Sequence, residues 1–80
     1  MMMLPLDSYY LLWIIGIWQP VSDKELTIIL ADVFKEYFEP TDRRRIFLLC
    51  QKYVKNGLLV RVHRNPATYS LSTMGNAALP

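Results

Sequence analysis

The sequence has one cysteine, three glycines and, from residue 43 to residue 80, no aspartate or glutamate. A lone cysteine excludes an internal disulfide and a cysteine-based metal cage. Cys50 is therefore expected to be a small buried hydrophobe on a helix, and an unpaired thiol is typical of a reducing compartment. Three scattered glycines leave no glycine-rich loop of the kind that cradles phosphate groups.

Side-chain combinations that carry catalysis are also missing. His63 has no second histidine, no cysteine and no carboxylate near it in the sequence. Ser70, Ser72 and Thr73 have no partner base that would activate a hydroxyl nucleophile. We predict that the protein is not an enzyme, and that it uses no cofactor and no metal ion.

Long apolar runs are absent as well. The uncharged stretch from Ser8 to Trp18 has eleven residues, whereas a membrane-spanning helix needs roughly twenty. No Lys or Arg precedes this stretch, Asp7 lies at its edge and no small-residue cleavage site follows, which is unlike a signal peptide. We expect a soluble, cytoplasmic protein with no membrane partner.

The chain is nevertheless rich in core-forming residues for its size. A domain of 80 residues buries little more than half of its unfolded surface. Here 52% of the residues are hydrophobic, including two Trp, five Tyr and three Phe. This composition predicts one domain over residues 1–80.

The segment SYYLLWIIGIW predicts a first helix over about residues 8–18, with Asp7 as its N-cap. This helix would be apolar nearly all round, and such helices are usually buried on more than one side. That favours a dimer, or a helix covered by both ends of the chain. A strand is the competing interpretation, because Trp, Ile and Tyr are β-prone.

A capping box, Ser22-Asp23-Lys24-Glu25, predicts the start of a second helix. Apolar residues then recur at helical spacing as one stripe: Leu26, Ile29, Leu30, Val33, Phe34 and Tyr37. Glu39-Pro40 is expected to end the helix, because the residue before proline is disfavoured in the α region. The predicted helix covers about residues 23–38.

A third helix is predicted over about residues 42–56, with Thr41 as its N-cap, Asp42 in its first turn and Asn56-Gly57 as its stop. Its inward stripe would be Ile46, Leu49, Cys50 and Tyr53. Its outer side would carry Arg44, Arg45, Leu48, Gln51, Lys52 and Lys55. Phe47 and Leu48 extend the apolar run, and the pattern leaves open whether they belong to the core or to a contact surface.

After Gly57 the hydrophobic period changes from 3.6 to 2, which predicts a β-hairpin over about residues 58–72. The turn is expected at residues 64–67. Val60 and Val62 would face inward with Tyr69 and Leu71, while Arg61 and His63 would face outward. The residues from Thr73 onward are expected to start a short helical turn.

Charge divides the chain into two halves. Residues 1–42 carry seven acids and two bases, a net −5, whereas residues 43–80 carry seven bases and no acid, a net +7. Such an asymmetry is informative about partners rather than about the fold. A run like Arg43-Arg44-Arg45 is by itself often just a solvated helix start, but here it opens the third predicted helix.

Three predicted helices are followed by a predicted hairpin, and the stretch YVKNGLLVRV…TYSLSTMG covers the end of the third helix and the hairpin. This order of elements and this stretch resemble the winged helix-turn-helix domains of prokaryotic or viral transcription regulators. The stretch is similar to their recognition-helix end, "Gly-Leu-aliphatic" first wing strand and aromatic–x–Leu–Ser/Thr–x–x–Gly return. The resemblance covers Val21 to Gly75. It implies an α+β winged-helix fold, with three helices followed by a hairpin wing.

In such proteins the third helix generally lies in the major groove, and the wing tip touches the backbone or the minor groove. The resemblance therefore implies DNA contacts by Arg43, Arg44, Arg45, Gln51, Lys52 and Lys55 on the helix, and by Arg61, His63 and Arg64 on the wing. Lys and Arg neutralise phosphates, an Arg fork can pair with guanine and a Gln amide can read adenine. The N–H groups near residues 41–43 are expected to donate hydrogen bonds to a phosphate.

The apolar first helix also predicts a homodimer, with an interface formed by Tyr10, Leu11, Ile14 and Trp18. Paired recognition helices would then read half-sites one duplex turn apart. The preferred function is that of a small DNA-binding transcriptional regulator.

Two rival functions remain open. One is a protein-interaction module on the winged-helix scaffold, an adaptor or inhibitor of a larger complex such as phages and plasmids encode, without DNA binding. The other is non-specific binding of RNA or single strands, which is weaker because the aromatics needed for stacking lie mostly in the predicted core.

Overall fold

The computed structural model describes Leu4, Leu6 and residues 9–79. Within these residues lie the helices α1 (Tyr10–Trp18), α2 (Asp23–Asp32), α3 (Arg43–Lys55) and α4 (Thr73–Ala77), and the strands β1 (Val21–Ser22), β2 (Leu59–Arg64) and β3 (Ala67–Leu71). The strands form one antiparallel sheet in the order β1-β3-β2. The described part of the chain thus has an α+β fold, as predicted.

The first apolar segment is a helix, and the alternative of a strand is wrong. Within α1, Leu11, Leu12, Ile14 and Ile15 are completely buried. The predicted N-cap Asp7 and the predicted start at Ser8 lie outside the described residues. α1 packs on β3 so closely that a Cβ added to Gly16 would lie 2.9 Å from Leu71 Cδ1.

The capping box of α2 is confirmed. The Glu25 amide donates to Ser22 Oγ at 3.1 Å, and the Ser22 amide donates to Glu25 Oε1 at 3.2 Å. Two orphan amides at the start of the helix are therefore satisfied by the box itself.

The predicted end of the second helix at residue 38 is wrong, because α2 ends at Asp32. The next residues form turns, in which the amides of Tyr37 and Phe38 donate to the Phe34 carbonyl oxygen. This path buries Phe38 and places the Phe34 ring beside Trp13 and Trp18, so aromatic packing replaces the last helical turns. Val33 and Tyr37, predicted to lie on the inward stripe, are exposed.

The inward stripe of α3 is confirmed: Ile46, Leu49, Cys50 and Tyr53 are buried. Its predicted N-cap is wrong, because Asp42 rather than Thr41 caps the helix, accepting a hydrogen bond from the Arg45 amide at 2.8 Å. The stop is as predicted. Gly57 has a φ of 80°, in the left-handed region that glycine adopts without strain, and the Leu58 amide donates to the Tyr53 carbonyl oxygen.

The hairpin forms, with Tyr69 buried and Arg61 and His63 exposed as predicted, but the predicted inward facing of Val60 and Val62 is wrong. Leu59 pairs with Leu71 and is buried, and Arg61 pairs with Tyr69, so Leu59 and Arg61 lie on the same side of β2, although Arg61 itself is exposed. Val60 consequently faces away and is 47% exposed, and Val62, at the irregularity between Arg61 and His63, is 45% exposed. Because side chains alternate along a strand, the burial of Leu59 directly after the glycine turn decides the facing of the residues up to the irregularity between Arg61 and His63.

Two short elements complete the fold. β1, which the sequence pattern missed, pairs Val21 with Tyr69 and adds a third strand beside β3. The predicted C-terminal helical turn is present as α4, with Ser72 as its N-cap. The Ser72 hydroxyl accepts from the Gly75 amide and donates to the Gly57 carbonyl oxygen, which ties α4 to the junction of α3 and β2.

No helix in the described part of the chain is long and apolar enough to cross a membrane.

We expect the Cys50 thiol to resist alkylation in the folded protein. Burial, and to a lesser extent the Asp23 carboxylate, raises the pKa of this thiol to about 12, and only the thiolate is nucleophilic. Intact-mass measurement after iodoacetamide treatment at pH 8.5 should show labelling only when urea unfolds the chain. Rapid labelling of the folded chain would contradict this assignment.

The same raised pKa predicts a loss of stability in alkali. The unfolded chain releases the thiol proton near the ordinary value of 9.0, whereas the folded chain holds it up to about pH 12. The unfolded state therefore binds fewer protons in this window, and the free energy of unfolding falls as the pH rises. Urea denaturation between pH 9 and pH 11 measures this effect. The free energy of unfolding should fall less steeply with pH in a Cys50→Ala variant than in the parent chain.

Candidate nucleic-acid interface

The outer side of α3 carries the exposed bases predicted from the sequence. Because Ile46, Leu49, Cys50 and Tyr53 take the inward side, the helical period places Arg44, Arg45, Lys52 and Lys55 on the exposed remainder, as the structure has them. At 1.5 Å per residue the 13 residues of α3 extend over about 20 Å. The exposed side of α3 is therefore basic, with two guanidinium and two ammonium groups from these four residues.

The start of α3 is also where the sequence predicts a phosphate site. Asp42 occupies this position, and its carboxylate accepts the Arg45 amide. A carboxylate at a helix N-terminus already provides the negative charge that the N–H groups and the helix dipole favour. This carboxylate competes with a phosphate, and contact between a phosphate and the N–H groups near residues 41–43 stays a prediction.

Gln51 joins α3 to the hairpin. Its Nε2 donates to the Tyr69 hydroxyl oxygen at 3.0 Å, and its Oε1 accepts from Arg61 Nη2 at 2.8 Å. Tyr69 is completely buried, and this burial raises the pKa of its phenol, so the hydroxyl keeps its proton at neutral pH. The chain Arg61–Gln51–Tyr69 holds the guanidinium of β2 against the outer side of α3.

This hydrogen-bond chain changes the role of Gln51. Its amide is engaged at both ends by protein groups, so it is a positioning residue for Arg61 in this structure. Tyr69 is the residue that the sequence reasoning missed, because a tyrosine at the core-facing position of a strand gives no sign of a partner 18 residues away.

Arg43 also has a partner outside α3 and the hairpin. Its Nε lies 3.2 Å from Asp23 Oδ2 in the first turn of α2, where Asp23 is nearly buried. The two residues are 20 positions apart, and nothing in the local sequence pattern pairs them. Arg43 thus connects α2 to α3 while its side chain remains 60% exposed, and Arg44 and Arg45 are exposed as well.

The hairpin contributes the remaining predicted residues. His63 pairs with Thr68 and Arg64 with Ala67 close to the turn, and both side chains are exposed. The register shifts between Arg61 and His63, so the strand is irregular where it approaches the tip. Such an irregularity bends a strand and redirects its side chains.

Phe47 and Leu48 lie at the surface, which settles where these two side chains are. They are 41% and 53% exposed, and they interrupt the basic residues of α3 with apolar area. Neither belongs to the buried core cluster. Exposed apolar groups among arginines suit contact with another molecule better than they suit solvent.

Two of the four residues predicted for a dimer interface are unavailable. Leu11 and Ile14 are completely buried within the chain's own core, so a partner cannot reach them, and this part of the prediction is wrong. The error arises because an apolar helix looks the same in sequence whether its neighbours belong to one chain or two. Tyr10 and Trp18 are partly exposed.

The described residues hold no group of three or more His, Cys, Asp or Glu side chains that could bind a metal ion. What they bring together is the basic side of α3 and the guanidinium of Arg61, with His63 and Arg64 further along the hairpin. No protein-family model, no curated protein and no solved structure matches this chain.

Proposed function

We propose that this chain is a winged-helix protein that binds duplex DNA with α3 and the β2–β3 hairpin, as a small transcriptional regulator does. The observation that carries the proposal is the Arg61–Gln51–Tyr69 hydrogen-bond chain, which fixes an arm of the hairpin beside the basic side of α3. A helix and a hairpin held in one basic surface can contact a duplex together.

The order of the elements supports this proposal. Three helices precede a β-hairpin, and a three-stranded antiparallel sheet packs beside them. An α-helix fits the major groove, which is about 12 Å wide. The exposed side of α3 is the one that bears the bases, so the charge lies where the groove would be.

The chemistry divides the work between residues. Arg44, Arg45, Lys52 and Lys55 are exposed point charges that would neutralise phosphates and release counterions. Arg61 differs, because Gln51 fixes the direction of its guanidinium. A pre-positioned planar fork is better suited to one defined contact than to general charge neutralisation.

The salt dependence of binding to a mixed-sequence duplex tests the proposal. We expect log Kd to rise steeply with log salt, and Arg44→Ala or Lys52→Ala to reduce the slope by about one each. Lys24→Ala and Lys35→Ala, which remove exposed lysines in the acidic half, are matched controls that should leave the slope unchanged. The absence of duplex binding at low salt would overturn the proposal, as would equal effects of all four variants.

A second candidate function is favoured by Phe47 and Leu48. An adaptor or inhibitor that docks on a protein would use these exposed apolar side chains as its anchor, with the arginines around them as a charged rim. This function predicts that Phe47→Ala/Leu48→Ala abolishes the capture of one defined partner while Ile28→Ala, another exposed apolar position, does not. It also predicts no duplex binding even at low salt.

A further inference from the structure

An apolar pocket lies away from α3 and the hairpin, where α1 meets the turns that follow α2. Its volume is about 460 Å³, and its described lining is one leucine and five aromatic residues: Leu4, Tyr10, Trp13, Phe34, Tyr37 and Phe38. Pockets of about 300–1,000 Å³ are the usual size for small-molecule sites. The proposed DNA contacts leave this pocket unused.

The rings around the pocket stand at steep angles to one another. Phe34 is central: its ring makes interplanar angles of 76° with Trp13, 63° with Tyr37 and 73° with Phe38, at centroid distances of 6.3, 6.4 and 6.3 Å. Trp13 and Tyr37 remain 44% and 49% exposed, whereas Phe38 is buried. The rings therefore surround the pocket at steep angles to one another rather than stacking in parallel.

The backbone holds this arrangement in place. The Leu4 amide donates to the Tyr37 carbonyl oxygen at 2.6 Å, and Leu4 forms an isolated parallel bridge with Phe38. The Tyr37 amide in turn donates to the Phe34 carbonyl oxygen at 2.9 Å. A site with fixed walls costs little to organise when a ligand binds.

The segment that supplies Phe34, Tyr37 and Phe38 is acidic in sequence. Between residues 32 and 42 the chain has four acids, Asp32, Glu36, Glu39 and Asp42, and one base, Lys35. Lys35 and Glu39 line a separate pocket on another side of Phe38, so they do not face the aromatic one. The carbonyl end of the α2 dipole adds partial negative charge to the same segment.

We propose that this pocket binds a quaternary ammonium group. Aromatic faces attract a cation through their quadrupoles, and the net negative charge of residues 32–42, which include three of these rings, favours the same sign of charge. No charged side chain among the described residues lines the pocket. A trimethylammonium group presents its charge through a methyl-covered surface that matches an apolar aromatic lining, whereas a primary ammonium is more strongly hydrated and loses more on leaving water.

The test compares three small probes of similar shape by NMR titration of the full chain. Choline carries a trimethylammonium group, 3,3-dimethyl-1-butanol is its neutral isostere and ethanolamine is the primary amine. We expect choline to shift the Trp13 indole resonance and to bind about 5- to 30-fold tighter than the neutral isostere. Its N-methyl protons should move upfield through the ring currents, with sodium chloride at matched concentration in the reference sample.

Two matched variants locate the binding. Tyr37→Leu removes a wall of the pocket and should weaken choline binding at least about five-fold. Tyr9→Leu removes a tyrosine of equal exposure, 49%, that does not line the pocket, and it should leave the affinity unchanged. The amide spectrum of each variant establishes that it is folded.

Three results would overturn the proposal: no choline-induced shift of the ring signals, a choline affinity within about three-fold of that of the neutral isostere, or equal losses in the two tyrosine variants. The site shares no residue with α3 or the hairpin, so its failure is independent of the outcome for DNA binding.

Discussion

Gly75→Ala is expected to destabilise the folded chain by about 3 kcal/mol or more. Gly75 is buried in α4, and a Cβ added there would overlap the Leu58 carbonyl oxygen and lie 2.9 Å from the Leu58 carbonyl carbon. Those atoms are backbone at the start of the hairpin, and the Leu58 carbonyl oxygen also accepts a hydrogen bond from the Ser72 amide at 3.1 Å. No side-chain rotation relieves this overlap, so α4 must move away from the α3–β2 junction.

Urea denaturation followed by circular dichroism measures this effect. An 80-residue domain has a total stability of about 4–12 kcal/mol, so the variant should lose much of it or be unfolded in buffer. Gly57→Ala is the control. Gly57 has room for a Cβ, but an alanine with its φ of 80° is strained, so this variant should lose about 1–2 kcal/mol. A Gly75→Ala variant as stable as the parent would show that α4 does not pack on Leu58 as described.

Ile14→Ala is expected to cost about 2–5 kcal/mol, because Ile14 is completely buried and its truncation leaves a cavity in the core. Ile17 lies on the same helix and is 52% exposed, so Ile17→Ala is a control with the same chemical change. We expect its cost to be below about 1 kcal/mol. Denaturant midpoints at several protein concentrations measure both effects.

The comparison also decides whether Ile14 belongs to the core or to a dimer interface. A core residue gives a loss of stability that does not depend on protein concentration, whereas an interface residue gives one that does. Similar costs for Ile14→Ala and Ile17→Ala, or a concentration-dependent loss for Ile14→Ala, would contradict the burial described above.

Local patterns predicted the elements that depend on local physics. The capping box at Ser22 and Glu25 forms as its spacing requires, since each partner lies within the same turn. The stripe of α3 is buried because 3.6-residue periodicity leaves one possible inward side for Ile46, Leu49 and Tyr53. Gly57 ends α3 because its left-handed φ suits glycine.

The errors occurred where distant parts of the chain decide the outcome. α2 stops early because Phe34 packs with Trp13 and Trp18 of α1 and Phe38 joins the core, although the apolar stripe itself continues past that point. The run Leu58-Leu59-Val60 fits both facings of the strand, so only the packing of Leu59 in the core selects one. Ionic and hydrogen-bond partners such as Asp23 with Arg43 are brought together by the fold alone.

The candidate interface was predictable in charge and less so in detail. An acid-free stretch that opens with three arginines is evident in the sequence, and the structure exposes Arg44, Arg45, Lys52 and Lys55 on one helix. The hydrogen-bond chain that holds Arg61 was not predictable, because it needs Gln51 and Tyr69 from two other elements. The same is true of the aromatic pocket, whose lining is separated in sequence between α1 and the turns after α2.

The most direct test of the central proposal is an NMR titration of the full chain with a mixed-sequence duplex at low salt. If α3 and the hairpin form one DNA-binding surface, amide shifts will concentrate in residues 43–55 and 59–67 and will reverse as salt is added. Gln51→Ala removes the hydrogen bonds of Gln51 to Arg61 and Tyr69. In this variant the hairpin shifts should disappear at a lower salt concentration than the shifts of α3. Shifts confined to α1 and α2, or no shifts at all, would contradict the account.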